Sequence, residues 1–415
     1  MFHLLNPKKY QNWGIALDIG TAFVKAVIFE VKNGQANIKG YGFQRQRLSD
    51  MHGGVVTDIA GVVENSESAL EMAAKNAGVL PYQIVMGIAG ELVKGTTTTV
   101  KYQRENPKIN ITIEELKGIV SKIQDKSFSQ AKTALVAETG HQEIDIKLVN
   151  TAIVDVRIDN YKVTNPVGFQ GKTIEIGVYN AFAPNIHLSA LQTIAEQLEF
   201  DLLSVAAEPY AVARAVAEEE AVDFSAIILD IGGGTSDIAI VSNGGVEGTK
   251  MFGMGGRSFT KSIADKLNIP FSQSEQLKID YSNRQLEDGE KKSQIKDAVC
   301  DNIDVWIMGV KLMLEDFSNL DLFPSRILLC GGGSLLPEIK AVLETEKWHN
   351  IPFAKKPKVS FLHPNNVAKI NDEKKLLDNP QDVTPLALVN VAIDLIGSDT
   401  IIENVKSKIK GSLRR

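Results

Sequence analysis

The sequence predicts an α/β protein built from two duplicated halves that face each other across a phosphate-binding cleft. Three observations lead to this prediction. A strand, an Asp-Ile-Gly turn, a returning strand and an Asn-Gly turn occur at residues 14–34 and again at residues 226–244. Strands and amphipathic helices follow one another along the rest of the chain, which is typical of α/β folds. The chain has 415 residues, too many for one simple core, so we expect at least two domains.

The composition argues against several classes of protein. The formal net charge is -6 at pH 7, so a general electrostatic attraction to nucleic acid is not expected. The two cysteines, Cys300 and Cys330, lie far apart, which argues against a disulfide framework or a cysteine metal cluster and fits a reducing cytoplasm. No apolar run is long enough to predict a membrane-spanning helix, and the N-terminus lacks the pattern of a signal peptide.

The second hairpin shows why this pattern indicates phosphate binding. Residues 227–229 form a continuous apolar run, which predicts a strand covered on both faces, and Asp230 follows at its end. The turn then contains three consecutive glycines and a threonine: Gly232, Gly233, Gly234 and Thr235. Glycine permits positive φ and lets main-chain N–H groups come close to an anion, so we expect this tip to hold phosphate. The alternative is a plain glycine hairpin.

The first hairpin repeats this arrangement near the N-terminus, where Asp18 is followed by Gly20 and Thr21. One copy alone would be a weak signal, but two copies with Asp-Ile-Gly at the same point indicate an internal duplication. Two facing hairpins could grip a polyphosphate from both sides. Asp18 and Asp230 could then share one octahedral Mg²⁺ through its water ligands.

A third glycine loop follows the predicted buried strand that begins at Arg326. The loop consists of Gly331, Gly332, Gly333 and Ser334 and leads into a helix with a proline near its start. The positive end of that helix and the open backbone suit an anion or a flat nucleoside packed against the glycines. The alternative is an ordinary strand-to-helix connection with additional glycines.

Hydrophobic periodicity predicts the remaining elements in chain order. The expected helices are 59–78, 110–122, 186–199, 210–219, 259–267, 274–281, 299–317 and 385–396, and the further strands are 84–89, 96–102, 148–159, 174–181 and 202–205. Thr112 followed by Glu115 is a capping box that marks a helix start. The elements between residues 84 and 161 form a compact set, which we interpret as a small inserted domain.

These segments together resemble the nucleotide-binding core of the actin, heat-shock chaperone and sugar-kinase superfamily. Residues 17–21 look like its first phosphate motif, residues 229–237 like its second, residues 330–334 like its adenosine motif and residues 207–211 like its connecting motif. Their order and spacing fit over essentially the whole chain. The resemblance implies an α/β actin-like ATPase fold, with two duplicated RNase H-like domains around a nucleotide cleft and a small inserted α+β subdomain.

Within that superfamily the sequence is similar to the bacterial division actins of the FtsA family. The insertion lies where that family has its own subdomain, and residues 165–172 resemble the family's Asn-Pro-Val-Gly turn. Residues 254–256 and 274–278 also resemble family segments. The implied divisions are a first domain of residues 1–83 and 162–222 closed by a helix at 385–397, an inserted subdomain of residues 84–161, a second domain of residues 223–384 with a helical part at about 255–320, and a basic amphipathic tail of residues 398–415.

The resemblance also implies a site for ATP and Mg²⁺, with weak ATPase activity at most. The implied nucleotide-binding residues are Gly20, Thr21, Lys25, Gly232, Gly233, Gly234, Thr235, Glu275, Lys278, Gly331, Gly332, Gly333 and Ser334. Asp18 and Asp230 are implied to hold the metal through water. Glu208 is implied to orient the attacking water, although typical division actins have a neutral residue there. The alternatives are a carboxylate that serves only the helix dipole for Glu208, and a surface pair one turn apart for Glu275 and Lys278.

The family resemblance implies a function in cell division. It implies a filament on the cytoplasmic face of the membrane at the division site, which anchors the FtsZ ring by binding the C-terminal peptide of FtsZ. Other division proteins are expected to bind the inserted subdomain. Residues 401–413 place apolar side chains on one face of a helix and basic side chains outside it, which favours binding to anionic lipid. The alternative for this segment is a frayed charged tail.

Two other classes of function stay open. A PilM-like adaptor of a type IV pilus system shares the nucleotide core and binds a short peptide of a membrane protein, but residues 165–172 and Glu208 favour the division actin. A small-molecule kinase would need a catalytic aspartate in a sugar pocket, which the sequence does not identify. A chaperone of the heat-shock type would need a downstream substrate domain.

Overall fold

The computed structural model describes residues 10, 12–219, 223–317, 320–345 and 351–396. The strands are β1 (Trp13–Ile19), β2 (Phe23–Lys32), β3 (Gln35–Arg45), β4 (Met51–His52), β5 (Val55–Val56), β6 (Gln83–Ile88), β7 (Lys94–Gln103), β8 (Ile146–Ile158), β9 (Tyr161–Lys162), β10 (Thr173–Pro184), β11 (Asp201–Ala207), β12 (Ala226–Ile231), β13 (Ser236–Ser242), β14 (Gly245–Phe252), β15 (Arg326–Cys330), β16 (Lys358–Phe361) and β17 (Ile370–Asn371). The helices are α1 (Ile59–Ala77), α2 (Ile113–Thr139), α3 (Asn185–Gln197), α4 (Glu208–Glu219), α5 (Gly256–Leu267), α6 (Phe271–Ser282), α7 (Glu290–Glu315), α8 (Pro337–Leu343) and α9 (Val383–Ile396).

The two main sheets share one strand order, which confirms the predicted duplication. The first sheet runs β11-β6-β1-β2-β3-β17, and the second contains β16-β15-β12-β13-β14 in the same arrangement. In each half the first three strands form an antiparallel meander. A fourth strand pairs in parallel with the first, and a fifth pairs in parallel with the fourth. Parallel neighbours require crossover connections, which the intervening helices provide. The fold is therefore the predicted α/β actin-like architecture.

The insertion continues the second sheet. Strand β7 pairs with β14, and β10 lies between β7 and β8, so the described residues contribute nine strands to this sheet. Helix α2 packs its apolar face on these strands through side chains such as Ile119 and Ile123 against Ile174 and Ile176. The inserted strands thus extend the sheet of the second half although they lie in sequence between two strands of the first.

The strand pairing differs from the predicted insertion boundaries in two places. Strand β6 was predicted to belong to the insertion. It pairs instead in parallel with β1 and β11 in the first sheet. Its continuous apolar run, Ile84 to Ile88, is buried throughout, as expected of a central parallel strand. Strand β10, which was placed in the first domain, pairs with β7 and β8 instead. Strand partners are chosen by long-range packing, which the local pattern does not contain.

Two helices are longer than predicted. Helix α7 begins at Glu290, in a stretch expected to be exposed, because Ile295, Ala298 and Val299 form a buried face at helical spacing. Helix α2 begins after the predicted N-cap, Thr112, but continues to Thr139.

The helix near the C-terminus packs in the core of the first half. Residues 383–393 of α9 are all buried, and this helix contacts β1, β2 and α4. Helices α5 to α8 pack with β12, β13 and β15 in a separate apolar core of the second half, centred on Trp306. The predicted tail at residues 398–415 lies outside the described residues.

Candidate functional site

The tips of the β1–β2 and β12–β13 hairpins lie against each other. We call residues 20–22 the first tip loop and residues 232–235 the second tip loop. A Cβ atom added to Gly233 would lie 2.6 Å from Cβ of Ala22, and one added to Gly234 would lie 2.6 Å from Oγ1 of Thr21. Contacts this short exclude a side chain, so glycine is required for the close approach of the loops. The tips of the two hairpins are therefore in contact with each other.

The expectation of positive φ in the second tip loop is wrong. The glycines with positive φ lie elsewhere, for example Gly331 with φ of 80°. The second tip loop is closed by a hydrogen bond from Gly232 N to Thr235 O, at 2.9 Å. What excludes side chains from this loop is the neighbouring hairpin rather than the backbone conformation.

Strand register places the predicted metal-binding aspartates at equivalent points of the two hairpins. Asp18 on β1 is paired with Lys25 on β2, whereas Asp230 on β12 is paired with Asp237 on β13. Nζ of Lys25 lies 4.0 Å from Oδ2 of Asp18 and donates to the main-chain carbonyl of Gln381. The duplicated hairpins thus carry a base in one copy and an acid in the other at the same ladder position.

Glu208 joins these aspartates from the start of α4. A Cβ atom added to Gly87 on β6 would lie 2.4 Å from Oε1 of Glu208, so the carboxylate packs directly over the sheet. We call Asp18, Glu208, Asp230 and Asp237 the acidic cluster; each of them is buried, with at most 8% of its surface exposed. A carboxylate that served only the helix dipole would not need to lie among three other buried acids.

Burial and mutual repulsion raise the pKa values of this cluster. Burial raises the pKa of Asp18 to about 6, the charges of Asp230 and Asp382 add to the rise, and Lys25 opposes it. Burial, together with the charges of neighbouring acids, also raises the pKa of Glu208 and that of Asp237 well above their usual range. A cation entering the cluster would favour the ionised forms.

The donor set of the cluster fits a hard cation such as Mg²⁺. The cluster consists of carboxylate oxygens, the ligands that Mg²⁺ prefers in proteins. Oδ1 of Asp237 is buried without a hydrogen-bond partner among the described residues. Among the described residues, no group of three or more His, Cys, Asp or Glu side chains is arranged to bind a metal ion directly. Contact of Asp18 and Asp230 with a metal through water stays a prediction.

The third glycine loop lies beside the second tip loop, because β15 is the parallel neighbour of β12. Cys330 is in register with Asp230, and a Cβ atom on Gly331 would lie 2.2 Å from Oδ1 of Asp230. Oγ of Ser334 donates to the carbonyl of Gly331 at 2.7 Å, which holds the loop closed. The glycine segments from three distant parts of the sequence are thus brought together at one end of the strands.

Glu275 and Lys278 form a buried ion pair, so the interpretation as a surface pair is wrong. Their side chains are 12% and 10% exposed, and Nζ of Lys278 lies 2.8 Å from Oε2 of Glu275. The same Nζ donates to the carbonyl of Gly256 at 2.9 Å and to Oγ1 of Thr260 at 2.8 Å. An ammonium group has three donors, and these contacts use all of them. The pair fixes α6 to α5, and its predicted contact with adenosine stays a prediction.

Several contacts at the site were not identified from the sequence. Oγ1 of Thr384 donates to Oδ2 of Asp230, and the hydroxyl of Tyr41 donates to Oδ1 of Asp382 at 3.2 Å. Thr384 and Asp230 are 154 residues apart, so no local pattern connects them. The available signal was the Asp-Val-Thr-Pro sequence at 382–385, which marks the start of an apolar helix.

A cavity of about 390 Å³ lies beside the first hairpin. Its lining includes Ile19, Met51, Gly87, Ile186, His187 and Leu191. Nδ1 of His187 is buried there without a partner among the described residues, and burial lowers the pKa of this histidine. The cavity is mainly apolar, which distinguishes it from the acidic cluster.

The duplicated sheets and the three converging glycine loops define the chain as an actin-like protein. Among solved structures, the PilM-PilN type IV pilus biogenesis complex is similar with a TM-score of 0.65 and 17% sequence identity, over 93% of this chain and 99% of that one. At this identity the likeness shows the fold alone.

The sequence itself points to one family of actin-like proteins. The family described as "Cell division protein FtsA" matches residues 227–386. Cell division protein FtsA of Neisseria meningitidis is 28% identical over 279 residues, covering 66% of this chain and 62% of the relative. That of Enterococcus faecalis is 23% identical over 347 residues, covering 78% and 74%. The predicted resemblance to the FtsA family is therefore confirmed, although the chain spans about three fifths of the length of the first of these relatives.

Proposed function

We propose that the chain is a division actin of the FtsA type that binds ATP and Mg²⁺ between its two halves. The observation that supports this most strongly is the contact of the two tip loops next to the acidic cluster. A polyphosphate needs main-chain N–H donors and a cation that neutralises its charge; loops of this kind supply the donors, and carboxylates of this kind would hold the cation.

The roles of the residues follow from their positions. Main-chain N–H groups of the two tip loops would hold the phosphates, and the third glycine loop would support the nucleoside. Asp18 and Asp230 would hold the water ligands of Mg²⁺, which neutralises phosphate charge when it is bound. Glu208, whose pKa is raised by burial, would lose its proton when positive charge enters the cluster and then accept a hydrogen bond from the attacking water.

The membrane and filament functions rest on the family. We infer that copies of the chain associate head to tail, since repeated heterologous contacts that do not close produce filaments. The proposed partners are the C-terminal peptide of FtsZ, other division proteins at the insertion, and anionic lipid at the tail of residues 398–415. None of the described helices combines the length and the apolar character needed to cross a membrane.

Liposome co-sedimentation tests this function. The 415-residue chain is compared with a chain that ends at Gly397, each with Mg²⁺ and ATP, on vesicles with and without anionic lipid. We expect the 415-residue chain to sediment with anionic vesicles and the shortened chain to stay in the supernatant, since each basic residue near the surface contributes about 1 kcal/mol of attraction to anionic lipid. If neither protein assembles or binds vesicles, the division-actin function is wrong, while the nucleotide site is tested separately below.

A second candidate function is that of a PilM-like adaptor, which binds a short peptide of a membrane protein. The structural likeness to the PilM–PilN complex and the apolar cavity beside the first hairpin favour it. The sequence likeness to FtsA favours the division actin. An adaptor of this kind is expected to remain unassembled with ATP in the experiment above.

A further inference from the structure

Arg257 connects the two halves of the protein at the tip loops. It is the second residue of α5, and its main-chain N–H donates to the carbonyl of Gly233 at 2.7 Å. Its side chain crosses to the other half, where Nη2 donates to the carbonyl of Thr21 at 2.5 Å and Nη1 to that of Met51 at 2.9 Å. A single residue therefore contacts both tip loops.

The acceptors of the Arg257 guanidinium are neutral. The groups that accept its hydrogen bonds are main-chain carbonyls, including a longer contact to Arg47 O at 3.5 Å. Other cations nearby contact acids instead: Lys25 lies beside Asp18, and the Arg47 side chain is paired with Glu64. Burial lowers the pKa of Arg257, and the nearby carboxylates of Glu275 and Asp50 oppose this shift.

We propose that Arg257 is a latch between the two halves and that its guanidinium exchanges the main-chain carbonyls for phosphate oxygens when a nucleoside triphosphate binds. The inference rests on the proposed ATP site and assigns to it a phosphate-contacting cation. Guanidinium–phosphate hydrogen bonds are charge-assisted and roughly twice as strong as bonds to neutral acceptors, so the exchange is favourable.

Arg257 is connected to the first tip loop both directly and through the β4–β5 ribbon. The N–H of Gly54 donates to Oγ1 of Thr21 at 3.1 Å. Gly54 lies in the turn of the β4–β5 ribbon, and Met51, which begins this ribbon, is the second acceptor of Arg257. Release of the guanidinium from the carbonyls would therefore free the first tip loop and the ribbon together. This couples the position of the two halves to the presence of phosphate.

The test compares the binding of ATP and of adenosine, both with Mg²⁺, by isothermal titration calorimetry. The variants are Arg257→Ala and Arg257→Lys, with Arg157→Ala as the matched control, because the Arg157 side chain on β8 is 45% exposed and already paired with Asp155. We expect Arg257→Ala to weaken ATP binding about tenfold or more and to leave adenosine binding unchanged. Arg257→Lys keeps the charge without the fork and should lie between wild type and alanine.

A second measurement reports on the latch without nucleotide. Amide hydrogen exchange at residues 51–56 should be faster in Arg257→Ala than in wild type and unchanged in Arg157→Ala. Wild-type ATP affinity in Arg257→Ala, or an equal loss of ATP and adenosine, would overturn the inference and leave the proposed function standing. Absence of ATP binding by the wild-type protein would overturn both.

Discussion

The charge of the cleft is set by one difference between the duplicated hairpins. Lys25 stands opposite Asp18, whereas Asp237 stands opposite Asp230. With Glu208 added, the acidic cluster holds four buried carboxylates, and Lys25 is the base within ion-pair distance of one of them. Without a bound cation, the acidic cluster therefore lowers the stability of the folded protein, and a cation that neutralised it would offset this cost. Buried charges of this kind are typical of binding sites rather than of stabilising cores.

The variant Asp18→Asn should be stabilised relative to the wild-type protein, and this difference should grow as the pH rises. The pKa of Asp18 is raised from 3.8 to about 6, so the folded state holds its proton more tightly than the unfolded state. The stability linked to this proton is complete below about pH 4 and is lost as the pH rises through about 6, an effect of roughly 3 kcal/mol. Relative to the variant, the wild-type protein should lose that amount between pH 4 and pH 7 in urea unfolding without nucleotide. Parallel pH profiles of the two proteins would contradict this account.

The sequence predicted the motifs that the structure brings together but not their contacts, and the nucleotide-binding roles of these residues stay predictions. The aspartates, the three glycine segments and Glu208 all come together, since each motif carries its own chemistry. The buried state of Glu275 and Lys278, and the contacts made by Arg257 and Thr384, depend on residues distant in sequence. Local patterns report propensity and chemistry, whereas these contacts are decided by the packing of whole elements.

At the level of elements, the hairpin is the repeated unit, and its tip determines the shape of the cleft. Each hairpin was predicted from its apolar strands and turn residues, because strand pairing within a hairpin is local. The sheet that β6 and β10 join could not be predicted in this way, since their partners are separated from them by whole elements. The capping box of α2 shows a similar limit. Thr112 caps the helix, but the Glu115 side chain binds Arg104 at 2.8 and 2.9 Å.

Gly233→Ala tests the contact between the hairpin tips. The new methyl group would meet Cβ of Ala22 at 2.6 Å, so the loops must separate, at a cost of about 1–3 kcal/mol. We expect ATP affinity to fall about tenfold and the urea midpoint to decrease. Gly118→Ala is the control, because the space around its Cβ position in α2 is open and alanine favours helix. Equal ATP affinity of Gly233→Ala and wild type would show that the tips do not define the site.

At the level of the whole molecule, two copies of one fold were joined so that their strand ends meet. The duplication was readable from the sequence because both copies kept Asp-Ile-Gly at the same place. The arrangement of the halves adds what neither has alone, two glycine-containing tip loops in contact beside buried acids from both halves. The insertion lies in sequence within the first half, but its strands extend the sheet of the second half. It therefore connects the two halves.

A crystal structure of the protein with Mg²⁺ and a non-hydrolysable ATP analogue would show directly whether both hairpins hold one nucleotide. We predict one nucleotide whose phosphates contact main-chain N–H groups of both tip loops, with Asp18 and Asp230 facing the metal through water. A nucleotide bound to one half alone, or at a site away from both hairpins, would contradict it.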